Sequence, residues 1–408
     1  FGWQSMQFNP TMRYQLPVYP LLCMMAAWFI FELPKLNNPK NRVNLFGTLA
    51  ATLGVVVLIS TTIWAFAFQS IYLRDEPRIA ASRWLFQNAP GPVNIEIETA
   101  DRGVYNQPLP IPSDMVIQRE VVFSTTFVPR YDGQVSEIVL GHALDFDVAP
   151  STIVLTLSAS SAPDEVLARA SQSVDLDNKK DLRGPSVTFS LDNKVTLIKD
   201  QPYLLKIETL GSGLVISGSA LANETDYDWG LPFRIDGYDA FGGIYRGDLN
   251  LQVYWDDNAD KLNRYVQTLS QSDYIIIPTN HQYAQITRIP ERYPLTTLYY
   301  RELLGCPVGA DIIKCYNAAQ PGQYKGSLGF ELVEVFETYP TFGPLVINDG
   351  MAEEAFTFYD HPKVFIFKKT DDFDAAKVQS VLGAVDLSKV VRLTPDQASD
   401  YKNLMLPD

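Results

Sequence analysis

Two long apolar segments lie near the start of the chain. The second, residues 45–68, contains 24 residues and no charged side chain, which exceeds the roughly 18 to 20 residues that a helix needs to cross a bilayer. The first, residues 16–33, has about the minimum length and contains two prolines and one glutamate. Because a short basic loop joins the two segments, the pattern predicts a transmembrane helical hairpin over residues 1–71.

Beyond this hairpin the apolar positions follow first a helical and then a strand-like period. Residues 76–88 have the spacing of an amphipathic helix, and residues 93–98 (VNIEIE) alternate between apolar and polar, as a strand does. One helix and one strand form half of an α/β unit. Residues 72–115 are therefore predicted to be the first part of an α/β domain.

The next segment, residues 116–224, consists of short β-type runs separated by turns. VVFSTTFV, TIVLTLSAS and YLLKIET are examples, and Asp-Gly and Gly-Ser-Gly lie between such runs. This texture predicts an antiparallel β-sandwich of the jelly-roll type. Sandwiches of this kind bind sugars in some proteins and act as spacers in others, so the sequence leaves both roles open.

The α/β texture returns after the β-type segment. The predicted strands cover residues 249–255, 273–278, 330–336 and 363–368, and the predicted helices cover 259–269 and 296–304. The sandwich is therefore expected to be an insert in an α/β domain whose second part is residues 225–370. Residues 371–408 form a C-terminal tail.

Charge is unevenly distributed along the chain. The net charge is −14, but residues 1–74 carry +4 and the remainder carries −18. The acidic remainder of the chain after residue 74 excludes nucleic acid as a natural partner. Membrane lipid is the expected partner of the apolar, basic end.

The orientation of the hairpin depends on the cysteines, because basic residues flank both ends of the second span. Cys306 and Cys315 lie nine residues apart between turn residues, a spacing that suits a local disulfide. A zinc site is disfavoured, since none of the three histidines is close in sequence to this pair. A disulfide requires an oxidising compartment. We therefore expect a multi-pass protein of the cell membrane whose large C-terminal region is extracytoplasmic.

An acidic cluster is the candidate sugar or cation site. It comprises Asp226, Asp228, Trp229, Asp236 and Asp239, in a glycine-containing stretch. Carboxylates bind divalent cations or sugar hydroxyls, and an aromatic ring packs on a sugar face. The alternative is a solvated loop with Asp-capped turns. No other cofactor is indicated, and no metal-binding set of Cys and His is present.

Several longer motifs carry a family resemblance: RYQLPVYPLL, RIAASRWLFQNAP, DYIIIPTN, RIPERYPLTTLYYRELLGCP and AEEAFTFYDHPKVFIFKK. Together they resemble the C-terminal part of large polytopic glycosyltransferases of the GT-C superfamily. The similarity is to those that resemble protein mannosyltransferases and to the uncharacterised YYY membrane-protein family allied to them.

This resemblance implies a function at the outer membrane face. Such enzymes transfer a sugar from a polyprenyl-phosphate donor to a glycan or protein acceptor, and a soluble domain follows their last spans. It also implies that this chain is the end of a longer enzyme, with other membrane segments or subunits as neighbours. The family's catalytic carboxylate lies in an early outer loop with no counterpart here, so no catalytic residue is assigned.

A lipid-linked phosphate needs cations at the headgroup level, and arginine binds phosphate in a two-pronged fork. Arg13 before the first span, together with Tyr14, and Arg74 and Arg78 after the second span are the candidates. The alternative is ordinary anchoring, in which Arg and Tyr contact headgroups without a specific ligand.

A second function class stays open at the level of the sequence. The chain is then a non-enzymatic, membrane-anchored surface protein or complex-associated subunit, and its sandwich binds protein or glycan. The length of chain upstream of Phe1 distinguishes the two classes: about ten further spans with an acidic first outer loop would favour the enzyme, and a native start close to Phe1 would exclude it.

Overall fold

The structure, a computed structural model, describes residues 12–36, 45–146, 151–176, 181–211, 213–226, 230–238, 243–394 and 397. Of residues 12–14, 151 and 355 only the backbone is described. The fold is mixed α+β, with two apolar helices near the N-terminus followed by several β-sheets.

The helices fall into an apolar pair and a set that packs on sheets. The α-helices are α1 (Tyr19–Glu32), α2 (Leu45–Gln69), α3 (Pro77–Asn88), α4 (Ala259–Gln271), α5 (His281–Ile286), α6 (Pro294–Leu304), α7 (Ile312–Ala318) and α8 (Ala375–Leu382). Short 3-10 turns lie at Met12–Val18, Leu33–Leu36, Ser70–Leu73, Glu354–Phe356 and Leu387–Lys389.

The helical stretches that contain α1 and α2 are long and apolar enough to cross a membrane, as judged by length and composition. Polar side chains within α2 bond to their own helix: the Ser60 and Thr62 hydroxyls donate to carbonyl oxygens four residues earlier, each at 2.7 Å. This satisfies them without water, as a lipid surrounding requires. Gly54 of α2 faces Ile30 of α1. The predicted basic loop between the helices falls mostly in residues 37–44, which lie outside the described residues.

The β-strands of the first half form antiparallel sheets. They are β1 (Val93–Thr99), β2 (Gly103–Pro108), β3 (Met115–Ile117), β4 (Phe123–Phe127), β5 (Gly133–Leu140), β6 (His142–Asp145), β7 (Ser151–Ala159), β8 (Ala162–Val174), β9 (Val187–Leu197), β10 (Tyr203–Leu210) and β11 (Leu214–Ser217). Their order is β2-β1-β5-β9 in one sheet, β4-β10-β7-β8 in a second and β3-β11-β6 in a third. Alternate side chains of all three form one buried core, and we call residues 93–217 the β region.

Strand β1 differs from the sequence prediction, which assigned it to the α/β domain. It pairs with β2 and β5 in the β region, and the apolar side chains of Val93, Ile95 and Ile97 are fully buried in its core. The alternation of VNIEIE explains this placement, because one buried face is typical of antiparallel sheets, whereas buried parallel strands are apolar on both faces. The β region therefore begins before residue 116.

The α/β region contains one five-stranded sheet and a small hairpin. Its strands are β12 (Ala220–Asn223), β13 (Arg246–Asn250), β14 (Tyr274–Ile277), β15 (Phe330–Phe336), β16 (Thr341–Phe342), β17 (Leu345–Val346) and β18 (Val364–Lys369). The sheet order is β13-β12-β14-β18-β15, in which β12 runs parallel to β13 and β14, and β18 runs antiparallel to its neighbours.

Helices cover both faces of this sheet. Helix α3 packs on one face through Ala81, Leu85 and Phe86, while α4, α6, α7 and α8 contribute to the larger core on the other face. A helix that precedes the β region in sequence thus packs with strands that follow it. The observed helix bounds agree with the expected ones within two residues at α3, α4 and α6.

A buried ion pair connects α4 to the start of α6. Lys261 Nζ lies 2.8 Å from Asp257 Oδ1 and also donates to Thr296 Oγ1 and to the carbonyl oxygens of Val253 and Trp255. The second oxygen of Asp257 accepts the backbone N–H of Leu295 at 2.6 Å. Both charges are thus fully enclosed and hydrogen-bonded, which is the condition under which a buried pair is tolerated.

The predicted disulfide between Cys306 and Cys315 is present, and both cysteines are buried in the core. It joins the end of α6 to α7. Gly305 terminates α6 in the left-handed conformation, with φ of 87°. A side chain there would collide with the carbonyl oxygen of Lys325, so this helix end requires glycine.

Candidate functional site

A half-open cleft lies between α3, the turn at residues 236–238 and the β region. Its volume is about 630 Å³, a size in the range of small-molecule sites. It is lined mainly by aromatic, basic and amide side chains: Arg83, Phe86, Gln87, Tyr105, Gln107, Arg130, Tyr131, Lys199, Asp236 and Tyr238.

A three-layer stack forms one wall of this cleft. The rings of Phe86 from α3 and Tyr238 are stacked with centroids 4.4 Å apart, and the guanidinium of Arg130 lies 3.7 Å from the centroid of Tyr238. Burial raises the pKa of Tyr238 far above its ordinary value, so this phenol is neutral at physiological pH. The stack fixes a planar cation at the edge of the cleft.

Arg130 is held in place by its backbone. Gln107 of β2 accepts the backbone N–H of Arg130 at 3.0 Å and donates to the carbonyl oxygen of Val128 at 2.8 Å. Gln107 is itself buried, so the segment after β4 has a fixed path. Among the described residues, no carboxylate lies within 4.0 Å of the Arg130 side chain.

Two more tyrosines line the cleft. Tyr105 and Tyr131 meet edge to face with centroids 4.7 Å apart, and Arg102 covers the Tyr131 ring at 4.8 Å. Both tyrosines are partly exposed. Rigid aromatic faces beside hydrogen-bonding groups are suited to pyranose rings, whose C–H faces pack on aromatics while their hydroxyls bond to polar groups.

Asp236 closes one end of the cleft. It accepts the Arg83 Nε–H at 2.9 Å, and Arg83 also pairs with Asp75. Asp236 and Gly237 both adopt positive φ, 51° and 77°, so the chain reverses sharply here and returns as Tyr238. The bond to Asp236 is the main cause that raises the pKa of Arg83.

The acidic cluster predicted from the sequence is only partly described. Asp228, Trp229 and Asp239 lie outside the described residues. Asp226 is an exposed residue after β12, and Asp236 lies in the cleft beside Arg83. Of the predicted sugar or cation candidates, Asp236 is therefore the one that the structure places in a defined site.

The arginines predicted to hold a lipid phosphate occupy different surroundings. Arg13 and Tyr14 belong to the turn Met12–Val18, and their side chains are not described. Arg74 is exposed and donates to Thr341 Oγ1. Arg78 is buried, contrary to the expectation of a surface position, because its guanidinium bonds to Glu76 and to the carbonyl oxygen of Tyr359 at 2.9 Å.

One further group of ionisable side chains has metal-like spacing. Atoms of His142, Asp181 and Asp273 lie within 4.8 Å of one another. However, Arg183 lies between the two carboxylates and donates to both oxygens of each, at 2.6 to 3.0 Å. Its guanidinium already supplies the positive charge that a metal would bring, so the cluster is a link between the β region and β14.

Most residues of the cleft had no clear signal in the sequence. Tyr131 stood out as one of few aromatics in its segment, whereas Tyr105, Gln107 and Arg130 lie in a strand and a connecting segment without a recognisable motif. They come together because β1 and β2 belong to the β region. The neighbouring Arg130 and Tyr131 in the turn VPRYDG were the feature of the sequence that could have indicated a binding site.

No protein-family model matches the chain, and no curated protein is significantly similar to it.

Proposed function

We propose that this chain is the non-catalytic C-terminal portion of an integral-membrane glycosyltransferase, and that its outer region binds a saccharide acceptor in the cleft around Arg130. The donor is a polyprenyl-phosphate-linked sugar, and the catalytic carboxylate lies outside this chain. The proposal places the large region on the extracytoplasmic side of the cell membrane and assigns the β region to the jelly-roll type.

One observation carries the proposal: Arg130, which has no carboxylate within 4.0 Å among the described residues, is stacked on Tyr238 in a cleft that Tyr105 and Tyr131 also line. Aromatic faces pack on sugar rings, and the planar cation binds a hydroxyl, carboxylate or phosphate. A metal ion or a reactive nucleophile is not needed for such binding. The arrangement therefore supports recognition of a saccharide rather than chemistry on it.

The position of the cleft agrees with an acceptor role. Helix α3, which supplies Arg83 and Phe86, follows α2 after the turn Ser70–Leu73 and a short connection. A saccharide in the cleft would thus be held near the membrane end of the outer region. An acceptor must meet a lipid-linked donor at that membrane face.

Binding of oligosaccharides tests this proposal. We expect oligosaccharides that carry a carboxylate or a phosphate to bind the detergent-solubilised chain more tightly than neutral ones of equal length. Arg130→Ala should weaken that binding by about 10- to 100-fold, because a hydrogen bond to a charged group contributes about 1.5–3 kcal/mol. Isothermal titration calorimetry measures both effects.

Arg169→Ala is the matched control, since Arg169 is an exposed arginine of β8 outside the cleft. It should leave the affinity unchanged. Equal losses in both variants, or no saccharide binding by the unaltered chain, would refute the acceptor role.

The proposal also requires cations at the level of the lipid headgroups to bind the phosphate of the lipid-linked donor. Arg74 is exposed at the end of the turn that follows α2, and Arg13 precedes α1. Arg74→Gln should weaken binding of a short-chain polyprenyl phosphate, measured by ligand-detected NMR, whereas Arg119→Gln at an exposed site of the β region should not. Unchanged binding in Arg74→Gln would favour the alternative, a non-enzymatic membrane-anchored subunit that uses the cleft for a glycan.

A further inference from the structure

The two-stranded hairpin β16–β17 exposes apolar side chains to solvent. Thr341 pairs with Val346 and Phe342 pairs with Leu345, and Gly343 and Pro344 form the turn. Phe342, Leu345 and Val346 are 45%, 49% and 58% exposed. Three neighbouring apolar side chains on a short projecting hairpin are unfavourable in water, at about 25 cal/mol per Å² of exposed apolar surface.

The hairpin lies against the C-terminal end of α2 and runs from there toward the centre of this helix. The backbone N–H of Thr341 donates to Ser70 Oγ at 2.9 Å, and Arg74 donates to the Thr341 hydroxyl. The ring of Phe342, the next residue, lies 6.3 Å from the ring of Phe66. One step along the strand thus moves the hairpin from the level of Ser70 to that of Phe66, toward the centre of α2.

This direction sets the depth of the hairpin tip. The uncharged apolar run of α2 ends at Phe68, and Phe66 lies two residues, or about 3 Å, before that end. Phe342 and its partner Leu345 are therefore at the level of the last apolar turn of the helix. The turn at Gly343 and Pro344 connects these two residues and forms the tip of the hairpin.

The side chains around the base of the hairpin are those of a membrane interface. Tyr72 and Arg74 are exposed just after α2, and Tyr72 donates to Asp360 at 2.7 Å. Tyr and Arg are enriched at the headgroup level, where the apolar body and the polar end of the side chain meet different surroundings. Phe66 is 56% exposed and extends the apolar surface of the hairpin.

We propose that the tip of the β16–β17 hairpin inserts into the lipid interface beside α2 and is a second membrane contact of the outer region. The occupant of the apolar surface is lipid, because the surface is continuous with the exposed apolar face of α2 and lies at its depth. Two contacts, unlike one, fix the rotation of the outer region about the helix axis. The inference rests on α2 crossing a bilayer, which the proposed function also requires.

A protein partner fits the hairpin less well. Each strand has two residues, so few backbone groups are available to extend a sheet with another chain. The hairpin also points along α2 rather than away from it, which places its tip where lipid surrounds the helix.

Depth-dependent fluorescence quenching tests this inference. In a Cys23→Ser background, an environment-sensitive fluorophore is attached to Leu345→Cys, Val57→Cys or Leu182→Cys, one at a time, in the full chain reconstituted in phosphatidylcholine vesicles. Cys306 and Cys315 are joined and do not react. Spin-labelled lipids carry the quencher either near the carbonyl end or near the methyl end of the acyl chain.

At Leu345→Cys we expect a blue-shifted emission and a loss of fluorescence with the shallow quencher. Val57→Cys, near the middle of α2, should respond most strongly to the deep quencher. Leu182→Cys, 90% exposed on the β region, should respond to neither.

Two results would overturn the inference, and they differ in meaning. If Leu345→Cys behaves as Leu182→Cys does while Val57→Cys is quenched, the hairpin is outside the membrane although α2 spans it. If Val57→Cys is also unquenched, α2 does not cross the bilayer and the proposed function fails as well.

Discussion

Replacing Asp257 with asparagine is expected to lower the free energy of unfolding by about 3–5 kcal/mol, the cost of breaking a buried ion pair by removing one partner. The side chain of Asp257 is fully buried and that of Lys261 is 1% exposed. In Asp257→Asn the ammonium keeps its bonds to Val253, Trp255 and Thr296 but loses the compensating charge. A charge enclosed without its partner has no access to water.

The effect of Asp257→Asn should depend on pH with a defined sign. Burial lowers the pKa of Lys261 below 10.5, and Asp257 opposes that shift, so removal of Asp257 lowers the pKa further. At pH values between the pKa of Lys261 in the folded chain and its higher pKa in the unfolded chain, the unfolded chain binds more protons. Stability therefore rises with pH in this range. The loss of stability caused by Asp257→Asn is therefore largest below the pKa of Lys261 in the folded chain, and it is smaller in alkaline solution.

Urea denaturation in detergent micelles, at neutral and alkaline pH, measures this difference. Asp260→Asn is the matched control, because Asp260 is an exposed acid in the first turn of the same helix. The double variant Asp257→Asn/Lys261→Met should recover much of the loss, since it removes both charges. An equal, small loss in Asp257→Asn and Asp260→Asn would show that the pair contributes little.

Arg183→Gln is expected to destabilise the chain by about 3 kcal/mol, because it leaves two carboxylates close together without their shared cation. Arg183 donates to both oxygens of Asp181 and of Asp273, and its side chain is 10% exposed. Asp181 belongs to the β region and Asp273 precedes β14. Loss of the Arg183 guanidinium should therefore weaken the connection between the β region and the sheet that contains β14, as well as the local fold.

Acid sensitivity provides a second measure of Arg183→Gln. Burial alone would raise the pKa of Asp181, but its bonds to Arg183 outweigh burial and hold that pKa below its ordinary 3.8. A lowered carboxyl pKa adds stability above the unfolded pKa, and this stability is lost as the pH falls through the folded pKa. The variant should lose less stability on acidification than the unaltered chain.

Unfolding at a series of acidic pH values, with Arg169→Gln as an exposed control, makes the comparison. Parallel pH profiles for Arg183→Gln and the unaltered chain would contradict the role of Arg183 in holding Asp181 ionised.

Features with local causes could be predicted from the sequence. The uncharged run of α2 has the length and composition of a membrane-spanning helix, in which the backbone groups bond within the segment. Helix α4 follows an Asn258 cap that accepts the N–H of Lys261, and its apolar face repeats with helical spacing. The disulfide joins two cysteines that are nine residues apart in the sequence. Each of these depends on residues close together along the chain.

Features with distant causes could not be predicted. The alternation in β1 is typical of an antiparallel strand but does not name its partner, and that partner, β5, lies about forty residues later along the chain. The cleft needs α3, β2, the segment after β4 and the turn at Asp236 to meet, so no single motif marks it. Arg78 was expected at the surface because it follows the second apolar segment closely in sequence. It lies on the buried side of α3 instead.

In the proposed function α2 crosses the bilayer, and the chain continues from it through Ser70–Leu73 and a short extended connection into α3. The apolar run of α2 has 24 residues and is about 36 Å long, while a hydrocarbon core is about 30 Å thick, so a spanning α2 would accommodate the difference by tilting. Because α3 supplies Arg83 and Phe86, a change of tilt would turn the cleft relative to the membrane plane. Under the proposed function, lipid composition would thereby influence which way a saccharide in the cleft faces.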